Sequence, residues 1–107
     1  MTTFASPTQG GANLSLWRVD AKPGAEGPVH MIDGEQVWSW VDGSAVVELA
    51  GERYTVAAGD TVVMPAGVVR RVVAGPGSGY SAVVTAPSGV RATAVDGADY
   101  GVPPWIV

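Results

Sequence analysis

Apolar and polar side chains alternate in short runs along the middle of this chain, and glycine, proline or aspartate cuts off each run within a few residues. Alternation with a period of two sends successive side chains to opposite faces of an extended strand, whereas a helix needs a period of 3.6. No helical repeat of useful length occurs. The runs predict strands at Leu14–Val19, Val29–Ile32, Gln36–Val41, Ser44–Leu49, Arg53–Val56, Thr61–Met64, Arg70–Val73 and Tyr80–Ala86. Asp33-Gly34, Asp42-Gly43 and Ala50-Gly51 read as compact hairpin turns, and Gly75-Pro76-Gly77-Ser78-Gly79 as a longer flexible loop. About eight short strands in so small a chain imply an all-β sandwich, barrel or jelly roll.

At 107 residues the chain has room for one hydrophobic core. A flexible N-terminal segment is expected over residues 1–12, and a single domain over 13–107 that ends in a proline- and tryptophan-containing arm at 101–107. The net charge of −4 carries no basic block, which argues against nucleic acid or a membrane surface as partner. Cysteine is absent, which excludes disulfides, thiolate catalysis and sulfur-ligated metals. Residues 1–13 have neither a basic n-region nor an apolar h-region, and no apolar run approaches the ~20 residues of a membrane span. A soluble cytoplasmic protein is the expectation.

Two stretches carry a family resemblance. In the first, Gly24 is followed six residues later by His30, with Ile32 two further on, then Gln36 and, seven beyond it, Gly43. In the second, Gly59-Asp60 leads to Pro65-Ala66-Gly67 and, three residues after that glycine, Arg70. These spacings resemble the two motifs of the cupin superfamily, and the resemblance spans roughly residues 14–86. It implies a small jelly-roll β-barrel. Cupins bind a metal through three histidines and a glutamate, and of those four positions only His30 keeps its ligand. The others hold Ile32, Gln36 and Arg70. Isoleucine has no lone pair, glutamine offers only a neutral amide oxygen, and a guanidinium only donates. A guanidinium about 4 Å from a divalent ion would be repelled by roughly 8 kcal/mol at an effective dielectric of 20. No cofactor is therefore expected. A non-standard metal site that recruits Asp33 or Glu35 is the remaining alternative.

If the resemblance holds, His30, Ile32, Gln36, Trp38, Trp40, Met64 and Arg70 point into the barrel and form a ligand-binding set. An apolar and aromatic lining with one imidazole, one amide and one guanidinium suits a small organic molecule, anionic or carbonyl-bearing. His30 as base, Arg70 as anion stabiliser and Tyr80 as acid would make a proton-transfer enzyme of the isomerase or cyclase type. Each residue also has a structural reading. His30 also reads as a satisfied hydrogen-bonder, Trp38 and Trp40 as core, and Gln36 as bonded to backbone, while a one-residue slip would exchange Arg70 with Arg71. The apolar tail Pro103-Pro104-Trp105-Ile106-Val107 should fold over its own barrel or across a neighbour, and a homodimer is expected.

Overall fold

The computed structural model describes all residues, Met1–Val107. It contains β1 (Thr2–Ala5), β2 (Leu14–Ala21), β3 (His30–Ile32), β4 (Gln36–Leu49), β5 (Glu52–Ala57), β6 (Thr61–Met64), β7 (Arg70–Ala74), β8 (Tyr80–Pro87), β9 (Ala92–Ala94), β10 (Asp99–Gly101) and a 3₁₀ turn at Pro104–Ile106. There is no α-helix, and so no helix long and apolar enough to cross a membrane. The strands form one curled sheet in the order β1-β2-β8-β4-β7-β3-β9-β10, with β5 and β6 also paired to β4, and all named strand pairs are antiparallel. This is an all-β jelly-roll barrel.

β4 makes the curl possible. The sequence suggests two strands joined by a turn at Asp42-Gly43, yet the chain runs straight on. Its first half pairs with β6 and β8, and its second half with β5 and β7, so a single strand serves both walls. A register shift between Trp40 and Asp42 bends it at the changeover, as a bulge does. Gly43 sits at φ 73°, where a Cβ would lie 2.1 Å from the Gly79 carbonyl oxygen. The glycine that looks like a turn signal is there because another backbone passes over it.

Asp33-Gly34 is likewise no hairpin. β3 pairs with β7 and β9 while the start of β4 pairs with β6 and β8, so this bend carries the chain from one wall to the other. Ala50-Gly51 is a true hairpin turn between β4 and β5, with φ of 53° and 82°, the two positive values a type I′ turn needs.

Both ends are more regular than the sequence suggests. Where a flexible segment is expected over residues 1–12, Thr2–Ala5 pairs with β2, and the Ser6 hydroxyl donates to the Val107 carbonyl at 2.7 Å. The tail folds back over its own barrel. Its 3₁₀ turn packs on the chain's own β1 and β2, with Ile106 only 1% exposed. Thr3 Oγ1 donates to the Trp105 carbonyl and Ser15 Oγ to that of Ile106, both at 2.7 Å. β1, β9 and β10 are too short and too weakly alternating to stand out in sequence, because tertiary hydrogen bonds rather than pattern hold them.

The inward faces follow the predicted alternation. On β2, Ser15, Trp17 and Val19 are buried, and on β4 so are Gln36, Trp38, Trp40, Ala45 and Val47. Together with Ile32, Val84 and Val72 these fill the space between the walls and leave one end of it open.

Candidate functional site

That open end is a cavity of about 510 Å³. β3 supplies His30 and Ile32 to its wall, β4 supplies Gln36 and Trp38, and β7 supplies Arg70. Tyr80, Trp17 and Val72 add further surface, and Tyr100, Pro103 and Trp105 close it from the C-terminal segment. A cavity of this size holds one ligand of one or two rings.

Arg70 is 1% exposed, so the alternation along β7 resolves with Arg70 inward. Its neighbour Arg71 faces outward and pairs with Glu26 at 2.7 Å and Glu48 at 3.7 Å. Arg70 has no carboxylate partner. Its Nε donates to the Val68 carbonyl at 3.2 Å, one terminal nitrogen to the Pro65 carbonyl at 2.7 Å and the other to Gln36 Oε1 at 3.3 Å. Burial pushes its ionisation down from the ordinary value, yet a guanidinium stays charged. No acidic residue lines the cavity, so a buried cation stands uncompensated in a chain whose net charge is negative.

Gln36 Oε1 also accepts from Trp38 Nε1 at 3.1 Å. Both of its partners can only donate, which fixes the amide with oxygen toward them and nitrogen away. Trp38 stacks on Trp40 with ring centroids 5.5 Å apart, and Tyr80 tilts against both.

His30 lies directly opposite Arg70 in the β3–β7 register. Its Nδ1 sits 2.8 Å from the Pro28 carbonyl oxygen, which only accepts, so the neutral ring carries its proton on Nδ1 and leaves a lone pair on Nε2. Burial lowers the His30 pKa, the Pro28 bond partly restores it, and the Arg70 charge lowers it again. Burial pushes the Tyr80 phenol up to about 12, so that group keeps its proton and serves as a donor.

Six of the sequence-derived candidates therefore meet around the cavity: His30, Ile32, Gln36, Trp38, Arg70 and Tyr80. Trp40 and Met64 do not. At 1% and 0% exposed they lie outside the lining and fill the core. Trp17 and Trp105 are lining residues that the sequence reading missed. The alternation of Ser15, Trp17 and Val19 on β2 could have found the first, whereas nothing local to the tail marks the second.

The residues present do not fit a metal. No three of His, Cys, Asp or Glu come together anywhere in the chain, and the buried Arg70 charge sits on the same wall, directly beside His30. Asp33 and Glu35 are exposed, and Asp33 is already engaged in accepting from the Arg91 backbone N–H at 2.6 Å.

Among solved structures, the chain is similar to the polyketide cyclase RemF from Streptomyces resistomycificus, at 24% identity and a TM-score of 0.73, over 79% of this chain and 61% of that one. It thus spans about three fifths of the cyclase's length. It is also similar to an RmlC-like cupin from Shewanella frigidimarina, at 29% identity and a TM-score of 0.64, over 71% of this chain and 68% of that one. A salicylate 1,2-dioxygenase from Pseudaminobacter salicylatoxidans shares 22% identity and a TM-score of 0.71, over 79% of this chain and 25% of that one. No curated protein matches the sequence. The family model for the cupin domain matches residues 17–86, the span that contains both motifs and every β3, β4 and β7 residue of the site, and the chain belongs to the cupin family.

Proposed function

We propose that this cupin binds, without a metal, a small flat organic molecule bearing an anionic or carbonyl oxygen. The observation that carries the reading is Arg70, a buried guanidinium with only neutral partners in an otherwise apolar and aromatic cavity. An isolated buried charge costs several kcal/mol, and a ligand oxygen offsets that cost by taking up the two N–H groups left free. The indoles of Trp17 and Trp38 and the phenol of Tyr80 suit a ring. The structurally similar polyketide cyclase and salicylate dioxygenase are named for substrates of this general kind. The test is a thermal-shift panel of aromatic acids, enols and ketones with EDTA present. Stabilisation that rises with ligand concentration is expected. Stabilisation that appears only after a divalent metal is supplied would overturn the reading.

A second reading adds turnover, and the His30 tautomer favours it. An unprotonated Nε2 beside a fixed cation suits removal of a proton next to a carbonyl, with Arg70 stabilising the enolate oxygen and Tyr80 donating a hydrogen bond. Exchange of α C–H for deuterium in a bound ketone, followed by NMR, should occur in the parent protein and stop in His30→Gln.

The expected homodimer is retained as part of the proposal on different grounds, since the tail covers its own barrel. Leu16, Thr85, Val37 and Val63 form one cross-strand row on the outer sheet face, with Leu16 37% and Val63 51% exposed. Light scattering at micromolar concentration tests it.

A further inference from the structure

We infer that Gln36 keeps Arg70 short of a counter-ion so that the ligand supplies one, and that the ligand is a flat, ring-bearing monocarboxylate. The inference rests on the binding reading above and narrows it from any anionic or carbonyl oxygen to one group.

Arg70 has five N–H donors, and its three hydrogen bonds all go to neutral oxygens. None of the five ion pairs in the chain involves it. Arg71, one residue on, is paired twice, so acidic partners exist on this part of the surface and reach only the outward arginine. The inward one meets Gln36.

Gln36 contributes a second element. With Oε1 held by Trp38 and Arg70, its Nε2 makes no hydrogen bond, and it is not among the sealed polar atoms of the interior. Gln36 lines the cavity, so that amide nitrogen opens into it. The Gln36 and Arg70 N–H groups therefore present a donor-only end with one positive charge.

A carboxylate matches this end in both charge and count, with two acceptor oxygens and one negative charge. A ketone would satisfy donors but leave the cation unneutralised. A phosphate dianion would leave a surplus negative charge against an apolar wall. The cavity's acceptors are His30 Nε2, on the strand beside Arg70, and the Tyr80 oxygen, and they suit a ring hydroxyl.

The carboxylate and amide side chains have the same length, so Gln36→Glu places the missing counter-ion inside the protein. Calorimetric titration with 2-naphthoate, 2-naphthamide and 2-acetonaphthone tests the inference. The parent protein should bind the naphthoate at least tenfold more tightly than the naphthamide. Gln36→Glu should melt higher than the parent without ligand and lose that preference. Should it fail to fold, Gln36→Met decides. There the naphthoate should weaken about tenfold, the equivalent of one charge-assisted hydrogen bond, while the naphthamide does not weaken. The inference is overturned if amide and acid bind the parent equally, if Gln36→Glu keeps the parent's naphthoate affinity, or if Gln36→Met leaves it unchanged. In those cases the binding reading survives as long as any of the three probes occupies the cavity. If none binds, that reading falls as well.

Discussion

His30 and Arg70 stand directly opposite one another on antiparallel β3 and β7, so a hydrogen-bond acceptor and a fixed cation share one spot on the cavity wall. Side chains paired this way have Cβ atoms about 5 Å apart. The cation disfavours a second positive charge beside it, and burial acts in the same direction. The pair is therefore one neutral base and one charge, not two charges.

Stability should record this. The unfolded chain takes a proton on His30 near its ordinary value of 6.5, while the folded chain resists until the pH is lower. Between those two points the unfolded state binds more protons, so stability falls as pH drops through the interval. His30 is the only histidine, and carboxylates titrate mainly below it. Urea midpoints measured from about pH 7.5 down to about pH 5 should decline in the parent and stay nearly level in His30→Gln. A level parent curve would refute the buried neutral imidazole.

Two glycines with similar backbone angles should respond very differently to alanine. Gly43 and Gly51 sit at φ 73° and 82°, so each substitution carries about 1 kcal/mol of backbone strain. At Gly51 a Cβ meets nothing within 4 Å, whereas at Gly43 it meets the Gly79 carbonyl at 2.1 Å. Gly51→Ala should therefore cost about 1 kcal/mol and Gly43→Ala at least ~3 kcal/mol, by urea unfolding. Equal costs would mean that the crossing at the β4 bend is not tight.

Ser15 is fully buried and its hydroxyl holds the Ile106 carbonyl. Removing it leaves a buried acceptor unsatisfied, so Ser15→Ala should cost about 1–3 kcal/mol. Amide exchange of Ile106, whose N–H bonds the Pro103 carbonyl, should speed up in the same variant. Unchanged exchange there would show that β1 and β2 do not secure the tail.

Trp105 closes the cavity from the tail. Trp105→Ala should weaken binding of an aromatic ligand about tenfold by calorimetry, in line with the loss of an aromatic contact and its buried area. The melting temperature without ligand should change less than in Ser15→Ala, since Trp105 is only half-buried. Unaltered affinity would remove Trp105 from the site.

Much of the barrel was legible in the chain itself. Period-two alternation identified the strands that appear as β2, β4, β6, β7 and β8, and Ala50-Gly51 announced its own hairpin, because strand pattern and tight turns are local properties of adjacent residues. The glycine and proline spacings identified the family, and with it the inward set that includes His30, Gln36 and Arg70.

Tertiary structure decided what depends on residues far apart. Asp42-Gly43 and Asp33-Gly34 carry turn residues but make no hairpins, since whether a strand stops or crosses to the other wall depends on what passes beside it, here Gly79 at the first and Val90 at the second. Trp38 and Trp40 share a strand face, yet only the first reaches the cavity, because depth is set by the opposing wall. Trp105 enters the site from the far end of the chain, held there by hydroxyls of residues near its start. The state of Arg70 was open for the same reason. Sequence supplies the charge, and only the packed neighbourhood determines that no counter-charge comes with it.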